Sequence, residues 1–153
     1  EDCRTFLLPS EGVRFEKLEH IFAWTGAGTQ RHYLKLRPGL VDFLSRAREK
    51  YELTIYTAGT RYYALKVAHA VCRAAVGAPD VDGFETDKLV RGTKEFEAVE
   101  LRREMFADRI VSRSDVGDLG RDVKSLKRVF PDGGMMSVIL DDREDVWANA
   151  KDN

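Results

Sequence analysis

The stretch "ELTIYTAGTRYYALKVAHAVCRAAV", residues 52–76, sets the fold class. It opens with β-branched and aromatic residues typical of a strand, turns at a glycine, and continues over 61–76 with the length and apolar content of a helix. The same order occurs just before it. "HYLKL" (32–36) alternates like a strand, and a helix follows over 37–51, with Pro38 where a first helical turn accepts proline. Strands that alternate with helices predict βαβ units and a mostly parallel sheet.

The remainder of the chain continues this alternation after a polar, glycine-rich stretch at 77–95, which we interpret as an insertion or long loop. The patterns that follow predict a helix over 96–107, a strand over 108–112, a helix over 123–130, an apolar strand over 135–140 and a helix from Arg143. We therefore expect one α/β domain over 1–153, doubly wound around a mostly parallel sheet, with a small insertion.

Composition narrows the function. The 153 residues carry 25 basic and 26 acidic side chains, so there is no net basic field to indicate direct nucleic-acid binding. The two cysteines, Cys3 and Cys72, form no C-x-x-C pair, which argues against a zinc site and a disulfide framework and favours a reducing compartment. No apolar run approaches the length of a membrane-spanning helix, so no membrane association is expected.

Polar side chains collect where the predicted strands end. Thr57 closes the strand at 52–57, and the adjacent carboxylates Asp141 and Asp142 close the strand at 135–140. Two lysines, Lys124 and Lys127, precede that last strand. Ligands of open parallel sheets bind beyond the carboxyl ends of strands. A hydroxyl and an ammonium group suit phosphate oxygens, and paired carboxylates suit Mg²⁺. The sequence therefore predicts a phosphate site that also holds a cation.

Each of these residues also has a structural interpretation. Asp142 could cap the next helix, with Asp145 three residues later as in a capping box. Thr57 could end its strand at a glycine turn, and Lys124 could be one more solvated surface lysine. Residue spacing leaves these alternatives open.

Five blocks in fixed order resemble the catalytic domain of the TFIIF-associating phosphatases of the RNA polymerase II carboxy-terminal domain (CTD), members of the haloacid dehalogenase superfamily. They are "YLKLRPGLVDFL", "YELTIYTAGTRYYA", "FADRIVSRSD", "KSLKRVFP" and "VILDDREDVW". The resemblance implies a Mg²⁺-dependent protein serine phosphatase that works through an aspartyl-phosphate. It further implies a phosphorylated CTD peptide as substrate, TFIIF as a partner and the nucleus as the location.

The resemblance also assigns roles to individual residues. It implies that Thr57 and Lys124 bind the phosphate oxygens and that Asp141 and Asp142 hold Mg²⁺. Lys124 matches the family lysine better than Lys127 does.

Two further matches concern the substrate. Arg37 in "LRPG" and Tyr63 in "GTRYYA" match residues that the family needs for activity, so we expect both to contact the substrate. Arg109 in "DRI" is a weaker match.

The family's first motif, D-x-D-x-[TV], does not occur in these residues. The nearest string, "DVDGF" (80–84), comes after the second motif and follows no apolar strand, so we treat it as coincidence. We expect the nucleophilic aspartate a few residues before Glu1, on a central strand between those ending at Thr57 and Asp141. Each backbone group left unpaired without that strand would cost roughly 1–3 kcal/mol. The 153 residues are therefore expected to be part of a longer polypeptide and inactive by themselves.

Three alternatives follow from the same residues. A degenerate first motif would make the protein an inactive phosphatase-like binding module, as in the mitochondrial translocase subunit with this fold. A phosphatase of the small type, or one with another phosphoprotein substrate, is a second alternative. A signalling receiver domain is disfavoured, because its acidic pair precedes the threonine and lysine, whereas here the order is Thr57, Lys124, Asp141.

Overall fold

The computed structural model describes residues 5–6, 21–25, 31–78, 89–116, 123–130 and 132–147. The described strands are β1 (Thr5–Phe6), β2 (Ile21–Thr25), β3 (Arg31–Lys35), β4 (Ile55–Tyr56) and β5 (Ile110–Val111). The described α-helices are α1 (Leu40–Ala47), α2 (Arg61–Ala75) and α3 (Lys94–Phe106). The chain forms two compact units, one of Glu1–Leu53 with Lys66–Asp108 and one of Thr54–Leu65 with Arg109–Asn153.

The first unit contains a three-stranded antiparallel sheet in the order β1-β3-β2. The strand predicted at 32–36 is confirmed as β3, and its alternation buries Leu34 and Leu36 while Lys35 stays exposed. The expected mostly parallel arrangement is wrong for this sheet. Only residues 26–30 separate β2 from β3, and a parallel pair needs a crossover of a dozen or more residues.

Both long helices predicted from apolar spacing are confirmed, and α2 lends Ala68 and Cys72 to the core of the first unit. Helix α3 begins at Lys94, two residues before its predicted start, because the Thr93 hydroxyl caps it by accepting the Phe96 N–H at 3.2 Å. The predicted insertion at 77–95 therefore ends earlier than expected, and its residues 79–88 lie outside the described part of the chain. None of the described helices is long and apolar enough to cross a membrane.

Helix α1 confirms the helix predicted after β3, although it is shorter than expected. It starts at Leu40 behind Gly39, whose φ of 74° is a left-handed conformation that glycine adopts at low cost. Pro38 therefore precedes the helix instead of lying in its first turn.

The second unit contains a parallel pair, β4 and β5, in which Ile55 lies opposite Ile110 and Tyr56 opposite Val111. The strands predicted at 52–57 and 108–112 are thus confirmed, each reduced to two paired residues. A parallel strand pair together with helices agrees with the predicted α/β class.

Two helices predicted in the last part of the chain differ from the structure. The helix expected over 123–130 is wrong, since only Leu126–Arg128 form a single 3₁₀ turn. The reason is tertiary: the Lys124 N–H donates to the Val146 carbonyl at 2.6 Å, and Ser125 adopts an extended conformation. Likewise, the helix expected from Arg143 is reduced to a 3₁₀ turn over Glu144–Val146, with residues 148–150 outside the described chain.

The apolar strand expected over 135–140 is also wrong for the described structure. Its residues make no strand ladder, and Met136, Val138 and Leu140 are 94%, 77% and 83% exposed. Apolar sequence supplies strand propensity, but a strand exists only where a neighbour accepts and donates its backbone hydrogen bonds. No described strand runs beside this segment.

A buried polar network links α2 to α3 in the first unit. His69 Nε2 lies 2.7 Å from Glu95 Oε1, and Arg73 Nε lies 3.3 Å from Glu95 Oε2. His69 and Arg73 are each only 4% exposed. Burial lowers the pKa of His69, and the charges of Arg73 and Arg102 act in the same direction, against the opposing effect of Glu95. The imidazole is therefore neutral near pH 7.

This lowered pKa predicts acid sensitivity of the fold. Between the unfolded value of about 6.5 and the lower folded value, the unfolded chain binds a proton that the folded chain does not. The free energy of unfolding should therefore fall as the pH is lowered through this range. The His69→Gln variant, which does not titrate, should lose less stability than the parent between about pH 7.5 and about pH 5.5 in urea unfolding. Equal losses in the two proteins would contradict this assignment.

Candidate active site

The centre of the site in the second unit is the carboxylate of Asp141, which accepts three hydrogen bonds. Its Oδ2 accepts from Lys124 Nζ at 2.5 Å and from the Trp147 indole Nε1–H at 2.9 Å. Its Oδ1 accepts from the Arg143 backbone N–H at 3.1 Å. The side chains of Lys124 and Asp141 are 15% and 13% exposed, so water screens this pair only weakly.

Two aromatic rings line the ammonium group of Lys124. The ring centroid of Trp147 lies 5.2 Å from Nζ and that of Tyr56 lies 5.9 Å away, both within the range of cation–π attraction. The two rings meet edge to face, with centroids 5.5 Å apart and planes at 88°. The backbone is also fixed here, because Lys124 forms a parallel bridge with Trp147. Lys124 is therefore enclosed by an acid and two perpendicular rings.

The environment of Asp141 favours its charged form. Burial by itself would raise the pKa of this carboxyl. The hydrogen bonds from Lys124, Trp147 and the Arg143 backbone, together with the charge of Lys124, outweigh burial and hold the pKa below its ordinary value. Asp141 is an ionised acceptor at neutral pH.

The neighbouring acid and the alternative lysine lie in different surroundings. Asp142 and Lys127 are both exposed. Asp142 does not cap the following turn, because the residue at that capping position is Arg143, which makes no side-chain cap. Of the two candidate lysines, the structure brings Lys124 to Asp141 and leaves Lys127 on a 3₁₀ turn at the surface.

Thr57 closes a tight turn after β4. Its Oγ1 accepts the Gly59 N–H at 3.0 Å, as expected of a threonine that ends a strand at a glycine turn. A hydroxyl that accepts one hydrogen bond still has its own hydrogen to donate, so this contact is compatible with ligand binding. Among the described hydrogen bonds, none joins the Thr57 side chain to Lys124 or Asp141. The link is indirect, through Tyr56, which precedes Thr57 and lines Lys124.

Tyr63, near the start of α2, packs against the same turn. A β-carbon placed on Gly59 would lie 2.8 Å from Tyr63 Cδ1 and 3.2 Å from Thr57 Oγ1. The aromatic ring therefore covers Gly59 beside the threonine hydroxyl, and only glycine allows this close approach. The structure thus brings together Thr57 and Tyr63, two of the residues predicted from the sequence.

A second charged cluster joins the start of α2 to the residues that follow β5. Asp115 Oδ2 accepts from both the Ser112 N–H at 2.8 Å and the Ser112 hydroxyl at 2.6 Å, and Arg61 NH1 lies 3.2 Å away. The same Arg61 group donates to the Ile110 carbonyl. The Ser112 donors, followed by Arg61, lower the pKa of Asp115. Our sequence reasoning did not identify this cluster, although the serine-to-aspartate spacing of three in "SRSD" is its signal.

Arg37 belongs to the first unit, where it is exposed between β3 and α1. The other predicted site residues, Thr57, Tyr63, Lys124, Asp141 and Asp142, all belong to the second unit. Arg109, the weaker match, serves the strand pair, since its carbonyl accepts the Ile55 N–H at 2.9 Å.

Metal and thiol chemistry can be tested on the residues that the structure describes. No group of three or more His, Cys, Asp or Glu side chains within them could by itself hold a metal ion. Cys72 is fully buried, and burial raises the pKa of its thiol to about 12. Because the thiolate is the nucleophilic form, Cys72 is inert at neutral pH.

Sequence reasoning also missed Tyr56 and Trp147. Both lie inside blocks that we had singled out, yet an aromatic residue in an apolar run usually signals a hydrophobic core. No sequence signal marks their role, which follows from contacts that only the structure shows, such as the Trp147 indole N–H to Asp141 Oδ2.

Comparisons with known proteins identify the family. The sequence model of NLI interacting factor-like phosphatases matches residues 6–77. An RNA polymerase II C-terminal domain phosphatase of Schizosaccharomyces pombe is 40% identical over 119 residues, which are 78% of this chain and 12% of that protein. The corresponding phosphatase of Saccharomyces cerevisiae is 36% identical over 116 residues, which are 76% of this chain and 12% of that protein.

A solved structure is similar as well. The fission yeast RNA polymerase II CTD phosphatase Fcp1, as a variant bound to beryllium fluoride, superposes with a TM-score of 0.56 at 34% identity. The match covers 83% of this chain and 28% of that one. The chain spans about an eighth of the length of the two curated yeast relatives. On these matches, the chain belongs to the family of NLI interacting factor-like phosphatases.

Proposed function

We propose that the protein containing this chain is a Mg²⁺-dependent phosphatase that removes phosphate from serine residues of the RNA polymerase II CTD. The observation that carries this proposal is the contact between Lys124 and Asp141, two residues 17 positions apart that the sequence assigned to one phosphate site. The relatives with which most of the chain aligns are phosphatases of that substrate by name, which supports the same substrate here.

The proposed fold is the doubly wound haloacid dehalogenase-like architecture, in which β4 and the segment at 135–140 border a central strand. The parallel pair β4–β5 and the similarity to the fission yeast CTD phosphatase structure support this architecture. The proposed central strand carries the attacking aspartate and precedes Glu1 in the full-length polypeptide.

The acidic pair fits Mg²⁺. This ion prefers oxygen ligands and is commonly held by one or two carboxylates, with substrate phosphate oxygens and waters completing its coordination. Asp141 and Asp142 supply carboxylates of this kind, and one of the two Asp141 oxygens accepts a single described hydrogen bond. The charges of the site also favour a bound cation. Lys124 brings one positive charge against two negative ones, so a phosphate dianion would be repelled without a further cation. A bound Mg²⁺ would neutralise charge on the phosphoryl oxygens.

The residues of this chain would act by binding and orienting the phosphoryl group. In the proposed reaction, a carboxylate oxygen of the upstream aspartate forms a bond to phosphorus while the bond to the serine oxygen breaks. Lys124 and the Thr57 hydroxyl donate to the non-bridging oxygens, on which the transition state concentrates negative charge. The leaving serine takes a proton from a second upstream aspartate, which then activates the water that hydrolyses the aspartyl-phosphate.

Arg37 and Tyr63 are the proposed substrate contacts of this enzyme. Arg37 is exposed, and its guanidinium group suits phosphate. Tyr63 is half-buried, and its hydroxyl can donate a hydrogen bond to a peptide. We further propose a nuclear location and an association with TFIIF, both of which rest on the family.

Replacing either Asp141 or Asp142 with alanine should strongly reduce turnover. In the full-length protein, Asp141→Ala and Asp142→Ala should each lower kcat for p-nitrophenyl phosphate by roughly 10²-fold or more, because each removes a carboxylate from the cation. Chelation of Mg²⁺ by EDTA should silence the parent enzyme, and added Mg²⁺ should restore it. The exposed Asp132→Ala serves as a matched control that keeps parental activity. Mg²⁺-independent turnover by the parent would contradict the metal assignment, and an inactive parent would favour the binding-module alternative.

Replacing Lys124 should reduce turnover much more than replacing Lys127. Lys124→Ala should lower kcat by on the order of 10²-fold or more, because the ammonium group is lost from the phosphate site. Lys127→Ala should stay close to the parent, because Lys127 is exposed on the 3₁₀ turn. Steady-state assays well below the unfolding temperature of each variant separate catalysis from the stability that the Lys124–Asp141 pair contributes. A larger loss from Lys127→Ala would show that the lysine assignment is wrong.

A further inference from the structure

Trp147 touches both charged members of the site at once. Its indole N–H donates to Asp141 Oδ2, and its ring face lies 5.2 Å from Lys124 Nζ. The same carboxylate oxygen accepts from the lysine. One side chain therefore constrains the ammonium through its ring and the carboxylate through its N–H.

The N–H contact fixes the rotation of the carboxylate. Oδ2 is directed to Lys124 and Trp147, so Oδ1 is directed to the Arg143 backbone N–H. An aspartate held only by a flexible lysine could rotate about its terminal torsion, which is broad and roughly two-fold. Because the indole presents a single N–H in a fixed direction, this contact, with the Arg143 backbone N–H, restricts the plane of the carboxylate.

The ring contact restricts the lysine. A lysine side chain carries up to about 2 kcal/mol of rotamer entropy, which must be removed before its ammonium group occupies one place. Trp147 and Tyr56 close two sides at an angle of 88°, and Asp141 closes a third. Tyr56 is anchored in turn, since its hydroxyl accepts the Ser125 N–H at 3.4 Å.

We infer that Trp147 is a positioning residue of this phosphatase, which orients the Asp141 carboxylate through its N–H and, with Tyr56, holds the Lys124 ammonium group between two rings. This inference rests on the proposed function. The expected consequence is a loss of turnover without a loss of substrate binding, because misplacement of a catalytic group by about 1 Å costs on the order of 10²-fold in rate.

The test compares variants of the full-length protein with p-nitrophenyl phosphate and Mg²⁺. Trp147→Phe keeps a ring and loses the N–H, so kcat should fall by about tenfold or more while KM changes by less than about twofold. The kcat of Trp147→Ala should fall further, because the ring is also lost. Tyr56→Leu, which removes the second ring beside Lys124, should also lower kcat. The same change at the other tryptophan, Trp24→Phe in β2, is the matched control and should leave kcat near the parental value.

A second measurement needs neither Mg²⁺ nor activity. Trp147→Phe should lower the unfolding temperature of the parent, and should lower it by less in an Asp141→Ala background, where the acceptor of the N–H is gone. A purely local packing role for the ring would give equal decreases in both backgrounds.

The outcomes separate the two claims. If the parent is active and the kcat of Trp147→Phe lies within about twofold of the parental value, the positioning role is wrong, but the proposed phosphatase activity is not contradicted. Equal decreases in unfolding temperature in the two backgrounds would have the same meaning. A parent without Mg²⁺-dependent turnover overturns the proposed function and the catalytic part of this inference with it. Reduced kcat, an unchanged KM and non-additive unfolding temperatures together support the inference.

Discussion

The charge on Asp141 is the constraint on which the second unit depends. A carboxylate that is only 13% exposed must be given donors, because an ionised group removed from water without partners costs several kcal/mol. Its three donors come from Lys124, Arg143 and Trp147, on both sides of the segment at 135–140. The stretch around Lys124 runs extended beside Val146, and helical structure is limited to single 3₁₀ turns.

The adjacent acids Asp141 and Asp142 lie in different surroundings because exposure alternates along this segment. Along 136–140 the exposed side chains are Met136, Val138 and Leu140, and the residues between them are more buried. This two-residue period directs Asp141 inward with the intervening residues and leaves Asp142 exposed. Neighbouring carboxylates therefore occupy different dielectric environments, one beside Lys124 and the other at the surface.

Sequence patterns correctly predicted the elements whose own residues carry the signal. Helix α2 follows from its length and apolar content, and β3 from its alternation, because their hydrogen bonds or buried faces lie within the pattern itself. The 123–130 stretch has an equally helical pattern, yet it is held by partners that no window of sequence includes, the Val146 carbonyl and the Tyr56 hydroxyl. The antiparallel sheet was not predicted, because no strand was recognised at 21–25; once β2 is known, the short 26–30 link excludes a crossover.

The same distinction governs the candidate site. Lys124 and Asp141 could be paired from the sequence because their chemistry is visible in the residue types, and their contact is present in the structure. Tyr56 and Trp147 could not, because an aromatic ring has no fixed role until its neighbours are known. Here the neighbours decide that role. A lysine surrounded by two rings and an acid has lost most of its hydration and freedom before any ligand arrives. Little reorganisation then remains when an anion approaches, and this preorganisation is what makes a fixed charge effective in a transition state.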